Sequence, residues 1–536
     1  MTALVLASSA TELDLVLLGV LVAVAAFLVI AYRTGLPYPI LLVVGGAALG
    51  FLPGVPDVRL EPEVVLVIVL PPLLYAAAFF ASLRDLRDNL RPISLLSIGL
   101  VVVTTVAVAA VAHAVVDGMS WEAAFVLGAV VSPTDPVAAT TIAGRVGAPR
   151  RYVAVVEGES LVNDSTALIA YKFAVAATVT GAFSLWEAGG RFVLNAVVGV
   201  AIGVAVGWLV AQVRGRIEDA PTEISISLLT PYLAYLPAEA LGVSAVLAAV
   251  TAGIWLGWRS PQLITPDTRL RAFSFWEVLV FLLNAGLFAL VGLQLPAVVE
   301  GISDAPVSQI AVQAVAVVAA VIVVRFLWVY PATYVPRALS GRVRARDPYP
   351  PWQNVFLVAW TGMRGAVSLA AALGIPTTVD GGAPFPDRDT IIFLTYAVIF
   401  GTLVLQGLSL PLVIRWLGVE RDDTDVQKEA KARLLAAQAA IERLDVLSEE
   451  EWVRDGTAER MRGAYQFRIR RFSARFDEAD DGAIEQGSLA YQRLRRELLE
   501  AEREEIVRLR NQGRITDAVM HRIERDLDLE DTRLDA

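Results

Sequence analysis

Glu157-Gly-Glu-Ser-Leu-Val-Asn-Asp164, followed by Ser165 and Thr166, decides the fold of this chain. It opens an otherwise apolar run, Val153 to Val179, that is long enough to cross a bilayer. Ionisable groups at membrane depth are costly, and where they occur they mark ion or substrate pathways. On a helix, Ser160 and Asp164 stand one turn apart and share a face, while Glu159 projects from another side. One face therefore suits a ligand and another suits a structural ion pair.

The same apolar character extends along most of the chain. Of its 536 residues 56% are hydrophobic, and the mean hydropathy is +0.59. Soluble domains run at about 45–50% apolar. About thirteen segments approach spanning length: Leu13–Tyr32, Leu36–Leu52, Val64–Phe80, Pro92–Val116, Trp121–Ala143, Val153–Val179, Phe192–Val213, Ile224–Leu236, Gly242–Trp258, Phe275–Val299, Val307–Val335, Val355–Thr378 and Thr390–Leu417. The eighth and ninth are short, with Pro237 expected at a tight turn between them. The start, Met1 to Thr11, has no Lys or Arg and reads as the flank of a first membrane helix, not a cleaved leader.

Loop charge sets the expected orientation. Alternate loops, beginning with the one holding Arg33, carry sixteen arginines, and the intervening loops carry three, Arg59, Arg191 and Arg388. Positive residues stay inside. The expected arrangement is a multi-pass protein of a bacterial plasma membrane, its N-terminus outside and its C-terminus cytoplasmic. The predicted fold is an all-α polytopic membrane domain, residues 1–418, followed by a charged helical cytoplasmic tail, residues 419–536, with a regulatory role. In the tail, Lys428–Leu447 and Leu494–Asn511 read as amphipathic helices. Glu504 and Arg508 form an i,i+4 pair, Gly513 is a stop and Thr516 a cap.

Two segments are interrupted near their middles. Ser132-Pro-Thr-Asp-Pro136 breaks the fifth and Trp360-Thr-Gly-Met-Arg-Gly365 the twelfth. Proline removes a backbone donor and glycine weakens a helix. Paired broken helices in corresponding halves point to an inverted-repeat transporter. On the seventh segment, Gly199, Gly203 and Gly207 form a face for close helix approach, within the chain or at a dimer seam.

Asp164 is the candidate carrier group. A carboxylate in a partly dehydrated cavity is neutralised by a proton or by a cation, and the two compete. Hard cations take oxygen ligands, and Ser160, Thr134, Asp135 and main-chain carbonyls supply them. Asp135 has an equal claim to a structural role, capping the half-helix that starts at Pro136. Asn163 is placed to hold the broken fifth helix by side-chain hydrogen bonds. Arg364 stays charged and needs a partner; Glu159 is the first choice and Glu157 the second. Lys172 and Arg325 are expected to snorkel towards an interface.

The absence of cysteine excludes disulfides and thiolate chemistry, and the two histidines, His113 and His521, leave little for imidazole catalysis. No catalytic residue and no cofactor is expected. A membrane-embedded hydrolase built on Ser160 lacks a nearby base and a Gly-x-Ser-x-Gly elbow. A channel would be built on repeated rings or filters.

Ser132-Pro-Thr-Asp-Pro-Val-Ala138, Glu157 to Asp164 and Met363-Arg-Gly-Ala-Val-Ser-Leu-Ala370 together resemble the signatures of sodium/proton antiporters of the cation:proton antiporter-1 branch, the NhaP-type proteins and the sodium/hydrogen exchangers. Asn284 to Pro296 and Leu405-Gln-Gly-Leu-Ser-Leu-Pro411 resemble further stretches of that family. The resemblance implies a homodimer, thirteen helices, two crossed broken helices and elevator-like alternating access. It implies sodium held at Asp164, Ser160 and Thr134, and Glu159–Arg364 as a stabilising salt bridge. Electrogenic relatives carry Asp-Asp where this chain has Asn163-Asp164, which implies electroneutral exchange of one cation for one proton. Many members also carry an acid after the aromatic of the Pro-Pro stretch. Here Tyr75 is followed by Ala76, Ala77 and Ala78, which leaves potassium or lithium exchange as the alternative to sodium.

Overall fold

In hydrocarbon a backbone must close its hydrogen bonds within its own segment, and helices do so. A computed structural model describes residues 18–19, 21–53, 61–146, 148–181, 185–302, 306–419, 424–473 and 483–535, and no β-strand occurs among them. Met1 to Thr11 lies outside the described residues. The chain divides into two units, Met1–Arg421 and Asp422–Ala536.

The first unit runs through α1 (Leu21–Thr34), α2 (Tyr38–Gly50), α3 (Val64–Phe80), α4 (Leu90–Val115), α5 (Trp121–Val131), α6 (Val137–Val146), α7 (Arg150–Thr180), α8 (Leu185–Arg214), α9 (Ala220–Ala240), α10 (Ala245–Leu263), α11 (Pro266–Glu300), α12 (Val307–Leu339), α13 (Trp352–Trp360), α14 (Ala366–Leu373) and α15 (Arg388–Leu417). Among the described residues, α4, α8, α11, α12 and α15 are long and apolar enough to cross a membrane, with α1, α2, α3 and α5 as shorter apolar helices. The interrupted segments are the pairs α5/α6 and α13/α14.

Pro237 does not make the turn expected of it. α9 continues through Pro231 and Pro237 to Ala240, and the chain reverses at Gly242, whose φ is +70°. Glycine takes that left-handed conformation freely. A proline inside a membrane helix is tolerated where neighbours satisfy the freed carbonyl.

The glycine face of α8 packs within the chain. A Cβ at Gly199 would lie 2.5 Å from the Ser244 carbonyl oxygen, and one at Gly203 would lie 2.4 Å from that of Ala248. Gly207 meets the Trp255 side chain. This stripe is the seat of α10, not a dimer seam. The buried apolar core falls into a large cluster that joins Val131 of α5, Ala138 of α6, Leu369 of α14 and Leu403 of α15. A smaller one joins Leu74 of α3, Ala234 of α9 and Ala248 of α10. The two interrupted pairs belong to the first.

The second unit holds α16 (Thr424–Leu447), α17 (Asp455–Ser473), α18 (Ala483–Asn511) and α19 (Asp517–Asp535). α18 stops before Gly513, at φ +68°, and the Thr516 hydroxyl accepts from the Val519 N–H at 3.3 Å. Leu499 and Ile506 of α18 close on Met520 and Leu527 of α19. Arg508 pairs with Glu505 at 2.5 Å, one residue short of the expected Glu504; on a helix both i,i+3 and i,i+4 neighbours are within reach.

Candidate functional site

The two breaks are stitched together by main chain. The Asp135 N–H donates to the Met363 carbonyl at 2.8 Å. Each break also ties off the helix it ends. The Ser132 hydroxyl donates to the Ala129 carbonyl at 2.8 Å, and the Thr361 hydroxyl donates to that of Leu357 at 2.9 Å. Each carbonyl also accepts the main-chain N–H of the same residue, Ser132 at 3.4 Å and Thr361 at 3.1 Å, so the hydroxyl adds a second bond at the helix end.

Charge is distributed over the four half-helix ends as their dipoles require. At the N-terminal ends stands Asp135. Its Oδ1 accepts from the Val137 N–H of α6 at 2.8 Å. Its Oδ2 lies so close to Gly365, the residue before α14, that a Cβ there would be 1.9 Å away. At the C-terminal ends stand two arginines. Arg364 donates through Nε to the Val131 carbonyl, the last of α5, at 3.0 Å, and through a terminal nitrogen to Gly362. Arg325, from α12, donates through Nε to the Val358 carbonyl near the end of α13 at 3.1 Å.

Arg325 also takes Glu159. The two guanidinium nitrogens reach the two carboxylate oxygens at 2.6 and 2.8 Å, and both side chains are buried. This corrects two expectations. Glu159 does not pair directly with Arg364, and Arg325 does not snorkel. An arginine crossing from α12 meets Glu159 as a bidentate fork, while orphan carbonyls at the breaks occupy Arg364. Neither does Glu157 pair with Arg364, since Glu157 faces the cavity described below. Lys172 is exposed and holds Glu239 at 2.9 Å.

The first break is anchored to α7. The Thr134 hydroxyl donates to Glu159 Oε1 at 2.9 Å and accepts from Asn163 Nδ2 at 2.8 Å. Asn163 Nδ2 also reaches the Thr134 carbonyl at 3.2 Å. The Thr134 hydroxyl is therefore committed to this network, and what it can offer an ion is its carbonyl.

A cavity of about 710 Å³ reaches this junction. Asp164, Ser160, Thr134 and Asp135 line it, and from other helices Asn284, Ser368 and Gly365 do so too. Glu157, Glu277, Phe273 and Tyr38 also line it, and in sequence each lies within six residues of an arginine of the arginine-bearing loops. Asp164 is 7% exposed, and no hydrogen bond from the protein reaches its carboxyl group among the described residues. Buried polar groups are almost always partnered. A carboxyl left open on the wall of a mostly apolar cavity is free to take a proton, a water or a cation. Among the described residues no cluster of three His, Cys, Asp or Glu is placed to hold a resident metal.

Asp164, Ser160, Thr134 and Asp135 thus meet on one cavity, with Asn163 just behind. Arg325 was read as a snorkelling side chain, although an arginine well inside Val307–Val335 was itself a signal of a buried partner. Glu277, near the start of the apolar segment Phe275–Val299, carried a signal of the same kind, but only the fold shows that it lines the same cavity as Asp164.

The chain resembles known proteins over most of its length. A family model described as "Sodium/hydrogen exchanger, transmembrane" matches residues 19–416. A protein of Mycobacterium tuberculosis, named an uncharacterized Na(+)/H(+) exchanger, is 37% identical over 524 residues, which is 97% of this chain and 96% of that one. The sodium, potassium, lithium and rubidium/H(+) antiporter of Bacillus pumilus is 34% identical over 418 residues, covering 75% of this chain and 61% of its own. Among solved structures, the sodium proton antiporter MjNhaP1 from Methanocaldococcus jannaschii at pH 8 superposes with a TM-score of 0.56 at 17% identity, over 76% of this chain and 100% of that one. That likeness speaks for the fold.

Proposed function

Because the chain belongs to the sodium/hydrogen exchanger family, membrane-embedded secondary transporters and not enzymes, we propose that it exchanges one sodium ion for one proton at Asp164. The observation that carries this reading is the Asp164 carboxyl group, buried on a cavity wall beside two joined helix breaks with no protein hydrogen bond. Sodium binds there with Ser160 and the Thr134 carbonyl. Asp135 chiefly holds the two half-helix N-termini. A proton on Asp164 removes the charge that the cation needs, so the two occupy the site in turn. Asn163 cannot ionise, so a single carboxylate cycles and the exchange is electroneutral.

The arginine-rich loops face the cytoplasm by the positive-inside rule. The protein works as a homodimer by alternating access, and residues 419–536 form a cytoplasmic regulatory tail. A second reading, exchange of potassium or lithium, is favoured by Ala76 and Ala77, whose methyl groups line the cavity where many relatives carry an acid, and by the name of the Bacillus pumilus relative. Proteoliposomes with an internal pH dye test both. Sodium-driven proton movement should disappear in Asp164→Asn while the protein still purifies as a folded species; undiminished exchange removes Asp164 from its role. Comparing sodium, potassium and lithium in the wild type decides the cargo.

A further inference from the structure

A second cavity, of about 120 Å³, lies away from the ion site at the arginine-rich end of the bundle, among α4, α7, α12 and α13. Three arginines from three helices converge there on a single carboxylate. Arg151 donates to Asp347 Oδ1 at 2.6 Å and to Asn89 Oδ1 at 3.2 Å. Arg337 binds both the side chain and the main-chain carbonyl of Asp347, and its remaining nitrogen takes Thr333. Arg91 is left over. Both of its terminal nitrogens are shielded from water and have no hydrogen-bond partner, and the nearest Asp347 oxygen is 4.0 Å away. A shielded guanidinium without an acceptor is costly, and three positive charges around one negative leave an excess of two.

The cavity walls are of the opposite character. Leu95, Val155, Val329 and Val355 line them. A guanidinium fork matches the oxygens of a phosphate, and basic pockets between membrane helices suit anionic lipid head groups. We propose that this cavity binds, on Arg91 and Arg151, the phosphate group of an amphiphile with net negative charge, whose hydrocarbon rests on the valine wall. Such a ligand would clasp α4, α7, α12 and α13 together, and the last three also hold the Glu159–Arg325 pair.

The test is thermal unfolding of the full chain in detergent. Phosphatidylglycerol, phosphatidylcholine or inorganic phosphate is titrated at constant ionic strength. Phosphatidylglycerol should raise the melting temperature saturably, phosphatidylcholine should not, and Arg91→Gln should weaken the effect roughly tenfold. Arg151 is 47% exposed at the rim, so Arg151→Gln is the variant to use if Arg91→Gln does not fold, with a smaller weakening expected. Saturable stabilisation by inorganic phosphate, lost in the same variants, would keep the site and make a free anion its ligand. Equal responses to the two lipids with none to phosphate, or responses unchanged in both variants, would overturn the proposal.

Discussion

The N–H of Asp135 donates to the carbonyl of Met363 at 2.8 Å. One main-chain bond thus fixes where two helix breaks meet, and it places the Asp135 carboxylate against Gly365. The bond has no sequence signature, since any residue but proline can make it. The requirement it creates is specific: position 365 must carry no side chain.

Gly365→Ala follows from that contact. Its Cβ would stand 1.9 Å from Asp135 Oδ2, so either the carboxylate leaves the end of α6 or the two breaks separate. Overpacking of this kind costs roughly 1–3 kcal/mol. The expected outcome is a lowered melting temperature with exchange reduced far more than folding. Wild-type exchange in Gly365→Ala would show that the breaks tolerate separation.

The Glu159–Arg325 fork makes a second prediction. Removing one partner of a buried ion pair costs about 3–5 kcal/mol, because the other charge is stranded. Both Glu159→Gln and Arg325→Gln should destabilise strongly, and the double variant less than their sum. Residues in direct contact couple in this way. The same cycle between Glu159 and Arg364 should give a smaller coupling, since Arg364 is engaged by the Val131 and Gly362 carbonyls. A larger coupling to Arg364 would favour the pairing expected from sequence.

Much of this arrangement was legible beforehand, and the reason is physical. In lipid the penalty on a buried polar group is high, so Asp164, Asn163, Glu159 and Arg364 announce themselves by type alone. Proline and glycine likewise mark both breaks. What could not be read was partnership. Glu159 had two arginines within the apolar segments to choose between, and the choice depends on how α12 packs against α7. Pro237 shows the same limit. Its residue type suggests a turn, but the helix runs on, and Gly242 turns the chain instead.

Competition at Asp164 has a sign that kinetics can read. Lowering the pH on the cation-binding side protonates more of the carboxylate, so the apparent KM for the cation should rise. Saturating cation should restore the maximal rate, because the two occupants exclude each other only at that group. A maximal rate that falls with acid while KM stays constant would place the titrating group elsewhere.

Asn163→Asp tests whether an added acid alone changes the exchange. Asn163 Nδ2 reaches the Thr134 carbonyl at 3.2 Å and its hydroxyl at 2.8 Å. A carbonyl only accepts, so the group facing it must be a donor. An ionised aspartate at 163 would turn an oxygen towards that carbonyl, with Glu159 already bound to the same threonine. Both bonds would be lost, at about 1–3 kcal/mol for a buried group left unsatisfied. A protonated aspartate could keep one bond, but it would then carry no charge through the cycle. Asn163→Asp should therefore lower stability and slow exchange without making it depend on membrane potential. Vesicles held at a potassium–valinomycin potential report this directly. Exchange that accelerates with the imposed potential would mean that the site accommodates a second cycling carboxylate, and that Asn163 sets the stoichiometry by charge rather than holding the break by donation.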